Sequence, residues 1–173
     1  AMIGRNIAPG LSRSFVSEDW EAIPKELWKQ ERKAAFESID YESNVRIIAS
    51  DIDPKAVASA RSNAEEAGVD DCIEFMVQPV SKLTAGENHG IIIANPPYGE
   101  RIGEKVKIHG IYKDLKQFIE ANPTWSLYLI TSDKEFEKLF REKPADRRRK
   151  LYNGRIEICY YQYYGERPPL SKE

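Results

Sequence analysis

The spacing of apolar residues changes several times along the chain, and those changes outline its elements. Between Ile23 and Ile39, Leu27, Trp28, Ala35 and Phe36 recur at helical spacing, with Pro24 near the start. A first-turn proline is tolerated because that turn has no N–H bond to lose, so a helix is predicted here. Residues 45–50, VRIIAS, then form a branched aliphatic run that ends at Asp51. Such a run reads as a buried parallel strand. In Asp53-Pro54 a capping carboxylate precedes another first-turn proline, and Val57, Ala60, Ala64 and Ala67 supply an apolar helical stripe that Gly68 stops. IEFMV, residues 73–77, predicts a second strand closed by Pro79. GIIIAN, residues 90–95, predicts a third that runs into Pro96-Pro97, which cannot donate to a central ladder.

Ile108, Ile111, Leu115 and Phe118 mark the next helix, ending near Asn122-Pro123, and SLYLIT at 126–131 the next strand. A short helix with Phe136, Leu139 and Phe140 follows. RRRKLYNGRIEICYYQYYG, residues 147–165, reads as two strands joined by Asn153-Gly154, a strong hairpin signal. Its Tyr160, Tyr161, Tyr163 and Tyr164 alternate, so one face belongs to the core and the other to the surface. Strands alternating with helices predict an α/β fold, a mostly parallel sheet covered on both faces and closed by an antiparallel hairpin. The tail RPPLSKE reads as frayed, and no repeat or interior linker interrupts the rest.

A length of 173 residues fits one domain with a single core. With 26 Lys plus Arg against 28 Asp plus Glu, the formal charge is −2, so no global basic field recruits nucleic acid. Mean hydropathy is −0.58, and no apolar run nears the roughly 20 residues a bilayer requires. The amino end carries no signal-peptide pattern, and the reading is a cytoplasmic protein without a membrane partner. Cys72 and Cys159 stand apart, with only His89 and His109 as companions. That spacing predicts reduced thiols and no metal site.

In open α/β sheets ligands bind beyond the carboxyl ends of strands. Asp51 lies there after the first strand, where a carboxylate can accept from both hydroxyls of a ribose, while Ile52 can lie on an adenine face. Asp51 and Asp53 also fit the plainer roles of turn and cap residues. The end of the third strand is more specific. An exocyclic amine on a base is a poor nucleophile because its lone pair is delocalised into the ring. At Asn95-Pro96-Pro97-Tyr98 the amide oxygen of Asn95 and the carbonyl of Pro96 can accept both amine hydrogens, which turns the lone pair toward an electrophile. The prolines stiffen the loop, and Tyr98 can stack on a base taken out of its helix. A proline-rich turn is the alternative, but it leaves the combination of amide, prolines and aromatic ring unexplained.

ASDIDPKAV at 49–57 and IIIANPPYGERIGE at 91–104 resemble class I S-adenosylmethionine-dependent methyltransferases. Within them, APGLSRSF at 8–15, RRRKLYNG at 147–154 and YYQYYGERPP at 160–169 resemble the bacterial 23S ribosomal RNA guanine-N2 methyltransferases. The resemblance implies a Rossmann-like α/β fold and S-adenosylmethionine as cofactor. It also implies that Asp51 and Ile52 hold the cofactor, that Asn95, Pro96, Pro97 and Tyr98 hold the target amine, with Asn95 also near the cofactor, and that the partner is ribosomal RNA. Two features depart from it. Gln78-Pro79 stands where the family commonly has an acidic residue facing adenine. The family's first strand and glycine-rich loop have no counterpart before Asp51, and neither has its amino-terminal RNA-binding domain. Residues 1–173 therefore read as the carboxyl-terminal portion of one methyltransferase domain, expected to be inactive alone. Arg147, Arg148, Arg149, Lys150 and Arg155 fit either RNA phosphate contacts or a solvated strand edge. Glu100, Arg101 and Glu104 fit either the target pocket or a solvated loop. The rival functions are DNA adenine N6 methylation, protein glutamine methylation and, outside enzymes, an inactive fragment without a complete cofactor site.

Overall fold

A computed structural model describes residues 1–98, 104–140 and 144–168. Glu100, Arg101, the side chain of Glu104 and the tail from 169 onward lie outside the described residues. In chain order the elements are α1 (Lys25–Glu37), β1 (Ile47–Asp51), α2 (Pro54–Glu66), β2 (Ile73–Val77), β3 (Ile91–Ala94), α3 (Glu104–Ala121), β4 (Ser126–Thr131), α4 (Phe136–Phe140), β5 (Arg147–Asn153) and β6 (Ile156–Tyr163). Where a single core was expected, the buried side chains form two clusters, one in each of two compact units, Ala1–Gln78 and Pro79–Glu173.

In the first unit β1 and β2 pair in parallel, Ile47 opposite Ile73 and Asp51 opposite Val77. Ala64 of α2 packs with Val69 and Cys72, and Met2, Ile7, Val45 and Phe75 close around them. The stripe predicted on α2 is narrower than expected: Val57 and Ala64 are buried, whereas Ala60 is exposed. Arg5 grips Asp71 with both guanidinium nitrogens, at 2.8 and 2.6 Å, and ties the amino-terminal turn to the start of β2. This pairing holds the Asp71 carboxyl below its usual range.

The second unit is a four-stranded sheet in the order β3-β4-β6-β5. β3 runs parallel to β4, and β6 is antiparallel to both of its neighbours, β4 and β5. Leu127 and Leu129 of β4 and Tyr161 and Tyr163 of β6 face α3 and α4, which contribute Ile108, Tyr112, Leu115, Ile119, Phe136 and Phe140. SLYLIT thus behaves as a half-buried strand should, with every second residue inside.

Three expectations are corrected here. The runs at 45–50 and 90–95 were expected to be buried, yet Ile48 is 41 % exposed and Ile93 84 %. Branched aliphatics favour a strand whatever covers its faces, and among the described residues β1 pairs with β2 alone and β3 with β4 alone. Coverage on both faces fails for the same sheet. Ile91 and Ile93, level with Ser126 and Tyr128, share the face opposite α3 and α4, which also carries the exposed Tyr164. The hairpin loop is Gly154-Arg155, one residue later than read, because Asn153 remains paired with Ile156. Gly154 takes φ +60 and Arg155 a negative φ, which fits a II′ turn with glycine first. In α4, Phe136 and Phe140 are buried but Leu139 is exposed.

Candidate active site

The end of β3 and the end of β4 are staggered. Ala94, the last residue of β3, is level with Leu129, whereas β4 continues to Thr131. The chain after β3 therefore leaves beside a strand that is still advancing. On that loop Asn95 is exposed, Pro96 buried, Pro97 exposed and Tyr98 half-buried. Burial of Pro96 seats the loop apolarly, and two successive prolines remove two backbone donors while limiting rotation. Tyr98 is held from outside by the Ser132 hydroxyl, which donates to its carbonyl at 3.3 Å. The four residues expected to hold the amine thus sit on one strand end, with the Asn95 amide open to solvent.

Asp51 is the last residue of β1 rather than the first after it. Its Oδ1 accepts the Asp53 N–H at 2.8 Å, and its carbonyl accepts the Gln78 N–H at 2.9 Å. One carboxylate oxygen thus shapes the turn while the side chain stays exposed. Ile52 is 72 % exposed. Asp53 caps α2, accepting the Lys55 N–H at 2.8 Å ahead of Pro54. An exposed carboxylate beside an exposed aliphatic side chain at a strand's carboxyl end suits a ribose and an adenine face. Asp51 and Ile52 belong to the first unit and Asn95 through Tyr98 to the second.

Sequence reasoning missed the polar groups at the end of β4. Thr131, 1 % exposed, has its hydroxyl 3.0 Å from that of Tyr112 and accepts the Asp133 N–H at 3.1 Å. Burial pushes the Tyr112 phenol up to about 12, so it stays protonated at neutral pH. Asp133 in turn accepts the Glu135 N–H at 2.9 Å and lies 3.5 Å from His109 Nε2. Ligand atoms of His109, Asp133 and Glu135 fall within 4.8 Å of one another. One Asp133 oxygen is engaged by the backbone and the other faces the His109 imidazole, an arrangement that the turn and this side-chain contact account for. The available signal was the triplet Thr131-Ser132-Asp133 directly after the apolar run, at a strand's carboxyl end. On β5, Arg148 pairs with Glu137 at 2.8 Å and Lys150 with Glu157 at 3.1 Å. No described helix is long and apolar enough to cross a membrane.

This scaffold defines a class. Its fold is that of the class I methyltransferases: the crystal structure of SMU.472 complexed with SAH superposes with a TM-score of 0.88 at 36 % identity, covering 97 % of this chain and 44 % of that one. A structure described as a predicted N6-adenine-specific DNA methylase from Listeria monocytogenes str. 4b F2365 gives 0.85 at 38 % identity, over 95 % of this chain and 42 % of that one. The chain belongs to the family UPF0020, the RMKL-like methyltransferase domain, which it matches over residues 1–162. It is 46 % identical over 173 residues to "Putative RNA methyltransferase YpsC" of Bacillus subtilis (strain 168), covering all of this chain and 45 % of that protein. To the ribosomal RNA large subunit methyltransferase K/L of Shewanella amazonensis (strain ATCC BAA-1098 / SB2B) it is 36 % identical over 168 residues, covering 94 % of this chain and 24 % of that protein. The chain thus spans less than half the length of these relatives.

Proposed function

We propose that the protein takes part in S-adenosylmethionine-dependent methylation of RNA, with guanine N2 of large-subunit ribosomal RNA, in the cytoplasm, as the target. The observation that carries this is the Asn95-Pro96-Pro97-Tyr98 loop at the carboxyl end of β3, in which Asn95 is exposed and Pro96 buried. The names of the relatives and the SAH-bound neighbour support the same reading. S-adenosylmethionine, when bound, supplies a methyl group made electrophilic by the sulfonium. Asp51 holds the ribose hydroxyls and Ile52 the adenine face. The Asn95 side-chain oxygen and the Pro96 carbonyl accept the two hydrogens of the amine and leave its lone pair aimed along the line of attack. Tyr98 holds the extruded base by stacking, which contributes about 1–3 kcal/mol. The amine nitrogen would take the methyl carbon in place of one of its protons, that proton would pass to water, and the cofactor would leave as the thioether. No metal or covalent enzyme intermediate enters this scheme.

The test is transfer of labelled methyl by the full-length protein to unmodified ribosomal RNA, to DNA and to protein, with wild type and Asn95→Ala. Asn95→Ala is expected to abolish turnover while the dissociation constant for S-adenosylhomocysteine stays within about threefold, since the amide acts on the acceptor in the chemical step. Near-native turnover of the variant overturns the role of Asn95, and transfer to DNA or protein in place of RNA overturns the substrate.

A further inference from the structure

We infer that Ser132 is a positioning residue for the amine-binding loop: its hydroxyl fixes the Tyr98 carbonyl and thereby the geometry in which Asn95 and Pro96 meet the acceptor nitrogen. The inference rests on the function proposed above and adds to it a residue from the turn that follows a different strand, β4. The loop needs such a support. Pro96 and Pro97 have no N–H, so two of its four residues contribute no backbone donor. β3 has already ended at Ala94, and Tyr98 lies four residues beyond. Among the described residues, the hydrogen bond that reaches Tyr98 from another element is that from Ser132, 34 positions along the chain.

Ser132 is itself held on both sides. Before it, Thr131 is buried and its hydroxyl meets that of Tyr112 on α3 at 3.0 Å. After it, the Asp133 N–H returns to the same Thr131 oxygen at 3.1 Å, and Asp133 accepts the Glu135 N–H at 2.9 Å. The end of β4 is thus closed into a turn anchored in the core, and the half-buried Ser132 presents its hydroxyl from that turn. A donor on a rigid element is suited to hold a loop whose own backbone offers few donors. Because the tie is made to a carbonyl, its purpose is geometric. The Tyr98 ring remains free to stack, and the Asn95 amide remains free to accept.

Small displacements of acceptor-binding groups act on the chemical step more than on binding. Ser132→Ala in the full-length protein is therefore expected to lower kcat about tenfold, with KM for RNA and the affinity for S-adenosylhomocysteine each within about threefold. Ser132→Thr, which keeps the hydroxyl, is expected to restore most of kcat. A merely structural role would instead lower the melting temperature and leave kcat of the folded fraction unchanged. Nuclear magnetic resonance gives a readout independent of catalysis: the side-chain amide signal of Asn95 should shift or broaden in Ser132→Ala, with the β4 amide signals unaltered. An unchanged Asn95 signal, or a kcat equal to wild type, overturns the inference. If wild type transfers no methyl to RNA, the proposed function falls and this inference with it; a failure at Ser132 alone leaves that function standing.

Discussion

At the scale of single residues, Tyr98 and Asp51 make different claims on their side chains. Stacking needs the ring and not the hydroxyl, and the tie to Ser132 uses the Tyr98 backbone carbonyl. Tyr98→Phe should therefore be mild in steady-state methyl transfer, whereas Tyr98→Ala should lose the stacking contribution of about 1–3 kcal/mol, roughly a five- to 160-fold fall in kcat/KM. Equal damage from both would assign the work to the phenol oxygen and refute stacking. Asp51 serves its turn with one oxygen, so replacement tests whether the carboxylate also serves the cofactor. Loss of a charged acceptor to ribose costs roughly 1.5–3 kcal/mol. Asp51→Ala should raise the S-adenosylhomocysteine dissociation constant at least about tenfold by titration calorimetry, while Asp51→Asn, which can still accept the Asp53 N–H, keeps the turn and should weaken binding without unfolding the loop. If affinity is untouched in both, Asp51 is a turn residue only.

Individual elements differ in how far their sequences reveal their surroundings. SLYLIT reads as a strand with no face assigned, and in the sheet Leu127 and Leu129 turn inward, whereas the run IIIA carries no alternation and reads as buried. In the sheet, Leu129 is fully buried against α3 and α4, and Ile93, level with Tyr128 on the opposite face, is 84 % exposed. Leu129→Ala should destabilise the protein by about 2–5 kcal/mol, as a buried leucine cavity does, and Ile93→Thr by less than about 1 kcal/mol. Urea unfolding midpoints read the contrast directly, and a large cost at Ile93 would mean that its face is covered in solution. Short-range signals were legible because their causes are local: Asp53 with Pro54 at the start of α2, Gly154 at the hairpin, the amide and prolines after β3. Even there the hairpin shifted by one residue, because seven cross-strand pairs from Arg147–Gln162 to Asn153–Ile156 outweigh a turn preference that either neighbour of Gly154 could satisfy. The contacts of Ser132 and Thr131 could not be read, since their partners Tyr98 and Tyr112 are distant in sequence and each contact exists only once the sheet has formed.

At the scale of the whole chain, the function proposed above makes the charge of these 173 residues matter for how RNA is held. Their net charge of −2 supplies no attraction at long range, so phosphate binding by these residues must come from a local cluster. β5 offers Arg147, Arg148, Arg149 and Lys150, but two of these cations already face carboxylates, Arg148 at Glu137 and Lys150 at Glu157. Arg147 and Arg149 alternate with them on the other face of the strand, opposite Gln162 and Tyr160 of β6. They are exposed, and no ion pair engages either among the described residues. A cation without a protein partner gains more from a phosphate than one that must first give up a carboxylate. The electrostatic part of RNA binding on this strand should therefore belong to Arg147 and Arg149. Each phosphate contact on single-stranded RNA contributes about 0.7 to the slope of log affinity against log salt. The double variant Arg147→Ala/Arg149→Ala should then flatten that slope by about 1.4 relative to wild type, and Arg148→Ala/Lys150→Ala by much less. Filter binding of the full-length protein to ribosomal RNA fragments at several salt concentrations measures both differences. Equal slopes for wild type and Arg147→Ala/Arg149→Ala would make β5 a solvated sheet edge and move the RNA contact elsewhere.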